Sequence, residues 1–116
     1  MKIIKIPKGS DVKLQVNISS EASVGSNVSL DDVIIKRSTA YNFTKELGKI
    51  EDLDGKTVSG SSNFFVNIGD IDLIKTNTIV EYRFKFNEEE KKLTCEKTKL
   101  NGRMFVAFFI GKIEML

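Results

Sequence analysis

The side chains of this sequence that could carry acid–base or metal chemistry are carboxylates in close pairs or runs: Asp31 with Asp32, Asp52 with Asp54, Asp70 with Asp72, and Glu88 to Glu90. Two neighbouring carboxylates can divide the roles of general acid and general base, or share a cation. Chain geometry accounts for the last three groups more simply. Asp52 and Asp54 precede Gly55 and imitate the opening of a calcium loop, but the further oxygen ligands and the closing bidentate glutamate are missing at the required spacing, which leaves turn chemistry. Asp70 and Asp72 stand where they would cap and charge a helix N-terminus, and Glu88 to Glu90 fall in a solvent-facing turn. No histidine occurs in the chain. Its absence excludes Ser-His-Asp and Cys-His arrangements and the commonest general base at neutral pH.

The remaining chemistry is equally sparse. Cys95 is the only cysteine, which excludes an internal disulfide and a zinc site built from several thiolates of one chain. In "KLTCEKTKL", Leu93 and Cys95 alternate with Thr94 and Glu96, the pattern of a buried strand position and not of a reactive thiol. Arg83 and Lys85 flank Phe84, but on a strand that alternation puts the aromatic ring and the charges on opposite faces, whereas a base-stacking platform presents both to its ligand. The glycines lack phosphate-cradling spacing. The sequence therefore predicts no catalytic residue, no cofactor, no metal site and no enzyme.

A chain of 116 residues with 18 basic and 16 acidic side chains, net charge +2, is the size of one domain, residues 1–116. It lacks the field expected of a nucleic-acid or membrane-surface binder. "MKIIKIPKG" has neither the continuous apolar core nor the small-residue cleavage site of a secretion signal, so synthesis in a cytoplasm without export is expected. On that ground the Asn-x-Ser/Thr matches at Asn17, Asn27 and Asn42 are read as chance. No segment approaches the roughly 20 apolar residues of a membrane-spanning helix.

The elements that would position any site read as strands. Val12, Leu14, Val16 and Ile18 alternate with polar residues, and Val80, Tyr82, Phe84 and Phe86 do so again within "TIVEYRFKF". "SSEASVGSNVS" reads as a loop, "DVIIKRST" as a strand, and "YNFTKEL" as a strand leading to a hairpin at Asp54-Gly55. "SGSSN" reads as flexible. Asp70 is placed as the N-cap of one helical turn that buries Ile71, Leu73 and Ile74. "NEEEKK" and "NGR" are turns that make the last three strands a meander. About seven to eight short strands with one short helical turn predict an all-β, antiparallel, immunoglobulin-like β-sandwich, with a small barrel as the competing closure.

One stretch does not fit a half-wet strand. Met104 to Ile110, "MFVAFFI", has no polar side chain. Met104, Val106, Phe108 and Ile110 fill one face, which leaves Phe105, Ala107 and Phe109 on the other. Exposing such a face forgoes several kcal/mol at roughly 25 cal/mol per Å² and invites aggregation. Either the chain covers it, with the Ile71 to Ile74 turn, the Ser19 to Ser29 loop or the terminal "KIEML", or a neighbouring subunit does. The second option predicts a protein interface at Phe105, Ala107 and Phe109.

The order of "KGSDVKLQVNI", "VSLDDVIIK" and "GDIDLIKTNTIVEYRFKF" resembles the small immunoglobulin-like domains of tailed-bacteriophage virions, found in capsid decoration proteins, head fibres and baseplate or tail adaptors. "TNTIVEY" departs from the baseplate-type pattern, which has a glycine before the tyrosine strand. The resemblance implies a structural, non-enzymatic protein of the virion, capsid-associated or tail-associated. Its partners would be other virion proteins and further copies of itself, with no nucleic acid, membrane or small-molecule substrate among them. The alternative class is a carbohydrate-binding or adhesive module, which would need exposed aromatics beside polar side chains.

Overall fold

Strict period-two alternation builds the first layer. In the computed structural model, which describes residues 1–116, β2 (Asp11–Ser19) and β7 (Ile79–Phe86) pair antiparallel, with Leu14 opposite Phe84 and Val16 opposite Tyr82. Apart from the exposed Ile79 at the start of β7, their apolar residues point inward and their charged residues outward, as expected of a sheet with one buried face. β5 (Asn42–Lys49) flanks β2 and β8 (Glu89–Thr94) flanks β7, giving a front sheet of order β5-β2-β7-β8.

The back sheet contains β3 (Ser23–Leu30), β4 (Val33–Ser38), β6 (Thr57–Phe65) and β10 (Met104–Met115) in the order β10-β6-β3-β4. Two short strands share the free edge of β10. β9 (Lys97–Lys99) pairs antiparallel with Phe105 to Ala107, and β1 (Lys2–Ile6) pairs parallel with Gly111 to Met115. The β3–β4 connection is a two-residue turn with both central residues left-handed, Asp31 at φ 48° and Asp32 at φ 65°. This type I′ geometry matches the twist of the strands it joins. Asp31 also locks the turn to β6, because its N–H donates to the Thr57 carbonyl and its carboxylate accepts from the Thr57 N–H, both at 2.8 Å.

The expected all-β sandwich is therefore what the chain builds, but with ten strands and two short helices. The extra strands fall where composition suggested loops. "SSEASVGSNVS" contributes most of β3, and "SGSSN" lies inside β6. Their small residues serve as central strands because inward they meet the ring of Tyr82 from the front sheet and that of Phe109 from the neighbouring strand, an instance of packing overriding strand propensity.

The two helices cross between sheets. α1 (Ile50–Leu53) carries the chain from β5 to β6, so Asp54-Gly55 does not close a hairpin: the strands around it lie in opposite layers. Asp54 instead accepts a hydrogen bond from the Met115 N–H at 2.8 Å. α2 (Ile71–Asn77) is capped by Asp70, whose carboxylate accepts from the Asp72 and Leu73 N–H groups, as expected. It buries Ile71 and Ile74, but Leu73 faces solvent. "KLTCEKTKL" also divides. β8 stays with β7, the chain crosses at Cys95 and Glu96, and β9 joins the back sheet, so the last strands do not form a meander. The Lys97 ammonium donates to the Thr76 and Thr78 carbonyls, tying this crossing to the end of α2, and burial lowers its pKa.

Between the layers a continuous core of 24 apolar residues centres on aromatic rings. Phe64 stacks on Phe105 at 4.6 Å, while Phe109 meets Tyr82 at 4.6 Å and Phe84 edge-on at 5.7 Å. A short polar chain runs through this core. The Ser26 and Ser62 hydroxyls are 2.9 Å apart, and Ser62 lies 2.8 Å from the Tyr82 hydroxyl, so each buried oxygen has a partner.

Candidate protein-contact face

The outer faces of the two sheets differ in kind. On the front sheet, Arg83 bridges Glu81 at 2.8 Å and Glu90 at 3.1 Å, and Lys92 reaches Glu81 at 3.2 Å. Hydrogen bonds from Arg83 and then Lys92 hold the Glu81 carboxyl below its usual range. Phe84 points the other way, into the core. This is a hydrated, charge-balanced surface with its aromatics hidden.

The back sheet presents the opposite character. Along β10, Met104, Val106, Phe108 and Ile110 face outward, with Phe108 59% and Ile110 43% exposed. The pairing register extends each of these positions into a row across the sheet. Phe108 is followed by Ser61, Asn27 and Arg37, and Ile110 by Ser59, Ser29 and Ile34. In the Phe108 and Ile110 rows the face is thus a ridge of large apolar side chains on β10, a floor of serine and asparagine on β6 and β3, and a far wall at Ile34 and Arg37 on β4, whereas the Met104 row continues into the exposed Phe65 on β6. The ridge and floor border a trough of about 310 Å³.

Phe105, Ala107 and Phe109, expected as the interface, are 0%, 0% and 4% exposed and belong to the core. The structure reverses the orientation of this strand: they pack within their own chain, and any contact face on β10 is made by Met104, Val106, Phe108 and Ile110. The physical reason is the room prepared for the rings. Phe105 stacks on Phe64, and Phe109 lies over the bare α-carbon of Gly60. A signal for this orientation is present in the sequence. β10 continues through Gly111, and beyond it Lys112 and Glu114 share the phase of Phe108 and Ile110, while Ile113 shares that of Phe109. Charged residues mark the outer phase. Reading Gly111 as a break hides them.

The ridge borders a second feature. Between the stretches paired by β9 and β1, Phe108, Phe109 and Ile110 have no strand partner on their free edge. The resulting notch is lined by Met1, Lys2, Thr94, Cys95 and Glu96. Cys95 lies half-buried there in the crossing segment, outside any strand, and burial pushes its thiol pKa up.

One member of each carboxylate group has a structural partner. Asp31, Asp54 and Asp70 accept backbone hydrogen bonds, and Glu90 pairs with Arg83. No three of the Asp, Glu and Cys side chains converge where they could hold a metal ion, and no helix is long and apolar enough to cross a membrane. No family model, no curated protein and no solved structure is found to match this chain.

Proposed function

We propose that this chain is a non-enzymatic structural protein of a tailed-bacteriophage virion, capsid-associated or tail-associated, made in the host cytoplasm and working through protein–protein contacts. The observation that supports a contact role is the outer face of the back sheet, where an apolar ridge runs along β10 while the front sheet keeps its outer face charged and wet. Clustered exposure of large apolar residues on a stable sheet is characteristic of surfaces that a partner covers. The placement in a virion rests on the resemblance of "KGSDVKLQVNI", "VSLDDVIIK" and "GDIDLIKTNTIVEYRFKF" to virion immunoglobulin-like domains. The test is quantitative mass spectrometry of density-purified particles from the host that carries the gene. A fixed copy number per particle is expected, and absence from the particles would overturn the reading.

A second reading draws on one observation, the exposed Phe108 ring beside Asn27 and Ser61. An aromatic platform with short hydrogen-bonding side chains is a surface that a sugar ring can occupy. Saturable, Phe108-dependent binding on a glycan array would favour this carbohydrate-binding or adhesive role.

A further inference from the structure

We propose that the outer face of the back sheet is an isologous interface between two copies of this chain. The two-fold axis runs parallel to the strands, and each copy lays its β10 ridge in the trough of the other. The proposal rests on the reading of this face as a protein contact and names its occupant.

The geometry follows from the rows. Two faces that meet about a two-fold axis must have that axis in the plane between them. If the axis lies across the strands, ridge meets ridge. If it lies along the strands, displaced from β10 toward β3, the ridge of each copy stands over the floor of the other. Strands are about 4.8 Å apart, so a ridge roughly 7 Å from its counterpart sits midway between β6 and β3 of the second copy. Rotation about an axis along the strands also keeps each row opposite itself. Phe108 then rests on the second copy's Ser61 and Asn27, and Ile110 on the second copy's Ser59 and Ser29. The short floor residues leave the depth that the tall ridge residues fill, twice, by symmetry.

Charge agrees with the same placement. Arg37 ends the Phe108 row on β4 and has no ion pair within its own chain; Glu96 has none either, and it continues β9 to the level of Phe108 on the other side of β10. The rotation carries the second copy's Arg37 over Glu96, and the converse pair forms at the other end. The centre of the face carries no charge to oppose the approach. A four-strand face of this length is at the small end of specific interfaces, around 1,200 Å² in total, so the dimer belongs to a lattice or to concentrated protein and not to dilute solution.

The experiment is sedimentation equilibrium of the full chain over about 10 to 500 µM, a span that brackets the micromolar dissociation constants of weak specific pairs. Folding of each variant is confirmed by circular dichroism. The wild type is expected to dimerise. Phe108→Asp and Arg37→Glu should each weaken the dimer at least tenfold, and Arg37→Glu combined with Glu96→Arg should restore it. Ser61→Phe is the sharpest case. It enlarges the apolar face, so a merely sticky patch would associate more strongly, whereas a filled trough must lose at least tenfold. Ser29→Phe makes the same test one row away if Ser61→Phe does not fold. A wild type that stays monomeric, a Ser61→Phe dimer as tight as wild type, or no rescue by the charge swap overturns the proposal. The virion placement falls separately, if the chain is absent from particles, and the contact reading itself falls if Phe108→Asp unfolds the chain.

Discussion

The ring of Phe109 lies against the α-carbon of Gly60, so close that a Cβ at residue 60 would stand 2.6 Å from Phe109 Cε1 and 2.9 Å from Tyr82 Cε1. Neither ring can retreat, because Phe109 is also in contact with Phe84 and Tyr82 is held by Ser62. Gly60→Ala is therefore an overpacking change and should destabilise the fold by about 1–3 kcal/mol, read as a lower urea midpoint with an unchanged m-value. An unchanged midpoint would show that the rings do not pack on this position.

Tyr82 gives the stability a defined alkaline slope. Burial raises the pKa of its phenol well above the ordinary 10.0, more than the Ser62 hydrogen bond lowers it. The folded state thus keeps a proton that the unfolded state releases above about pH 10, so stability is full below that value and falls as pH rises beyond it. Tyr82→Phe should flatten this fall between pH 9.5 and about 11.5 relative to wild type, while costing about 1 kcal/mol at pH 7 for the lost hydrogen bond. Parallel slopes for the two proteins would sink the assignment.

Asp32 occupies the left-handed region at φ 65° and has no side-chain hydrogen bond, whereas its neighbour Asp31 at φ 48° is bonded to Thr57. The two aspartates of one turn should respond differently. Asp32→Gly relieves the backbone and is expected to stabilise by up to about 1 kcal/mol. Asp31→Ala loses the Thr57 contact while keeping the strain and should destabilise by about 1–2 kcal/mol. Thermal midpoints moving in the same direction would contradict the turn geometry.

What was legible in the sequence divides along physical lines. β2 and β7 each have a dry face and a wet face, and Asp70 caps a helix that then buries Ile71 and Ile74; local pattern suffices for all of these. β3 and β6 were not legible, because their Ser26, Gly60 and Ser62 are small for reasons distant in the chain, in Tyr82 across the sandwich and Phe109 on the neighbouring strand. The crossing at Cys95 and Glu96 was hidden for a similar reason: the alternation of "KLTCEKTKL" continues while the chain changes sheets. The candidate face lay on the strand that the sequence singled out, but on its other side. Seven apolar residues in succession carry no phase of their own; Lys112 and Glu114 carry it, beyond a glycine that does not end the strand.

The orientation of β10 can be tested on two adjacent phenylalanines. Phe108 is 59% exposed and Phe109 is 4% exposed, between Tyr82, Phe84 and Gly60. An aspartate at 109 would bury an unpaired carboxylate and abandon a ring's worth of packing, a loss of about 4 kcal/mol or more, enough to unfold a domain of ordinary stability. At 108 the same substitution meets water, removes surface apolar area and sits among serines, so the chain should stay folded within about 1 kcal/mol of wild type. Circular dichroism with urea titration separates the two cases. Equal damage at both positions would mean that Phe108 is covered within its own chain, and the contact face would then have to be sought elsewhere on the sandwich.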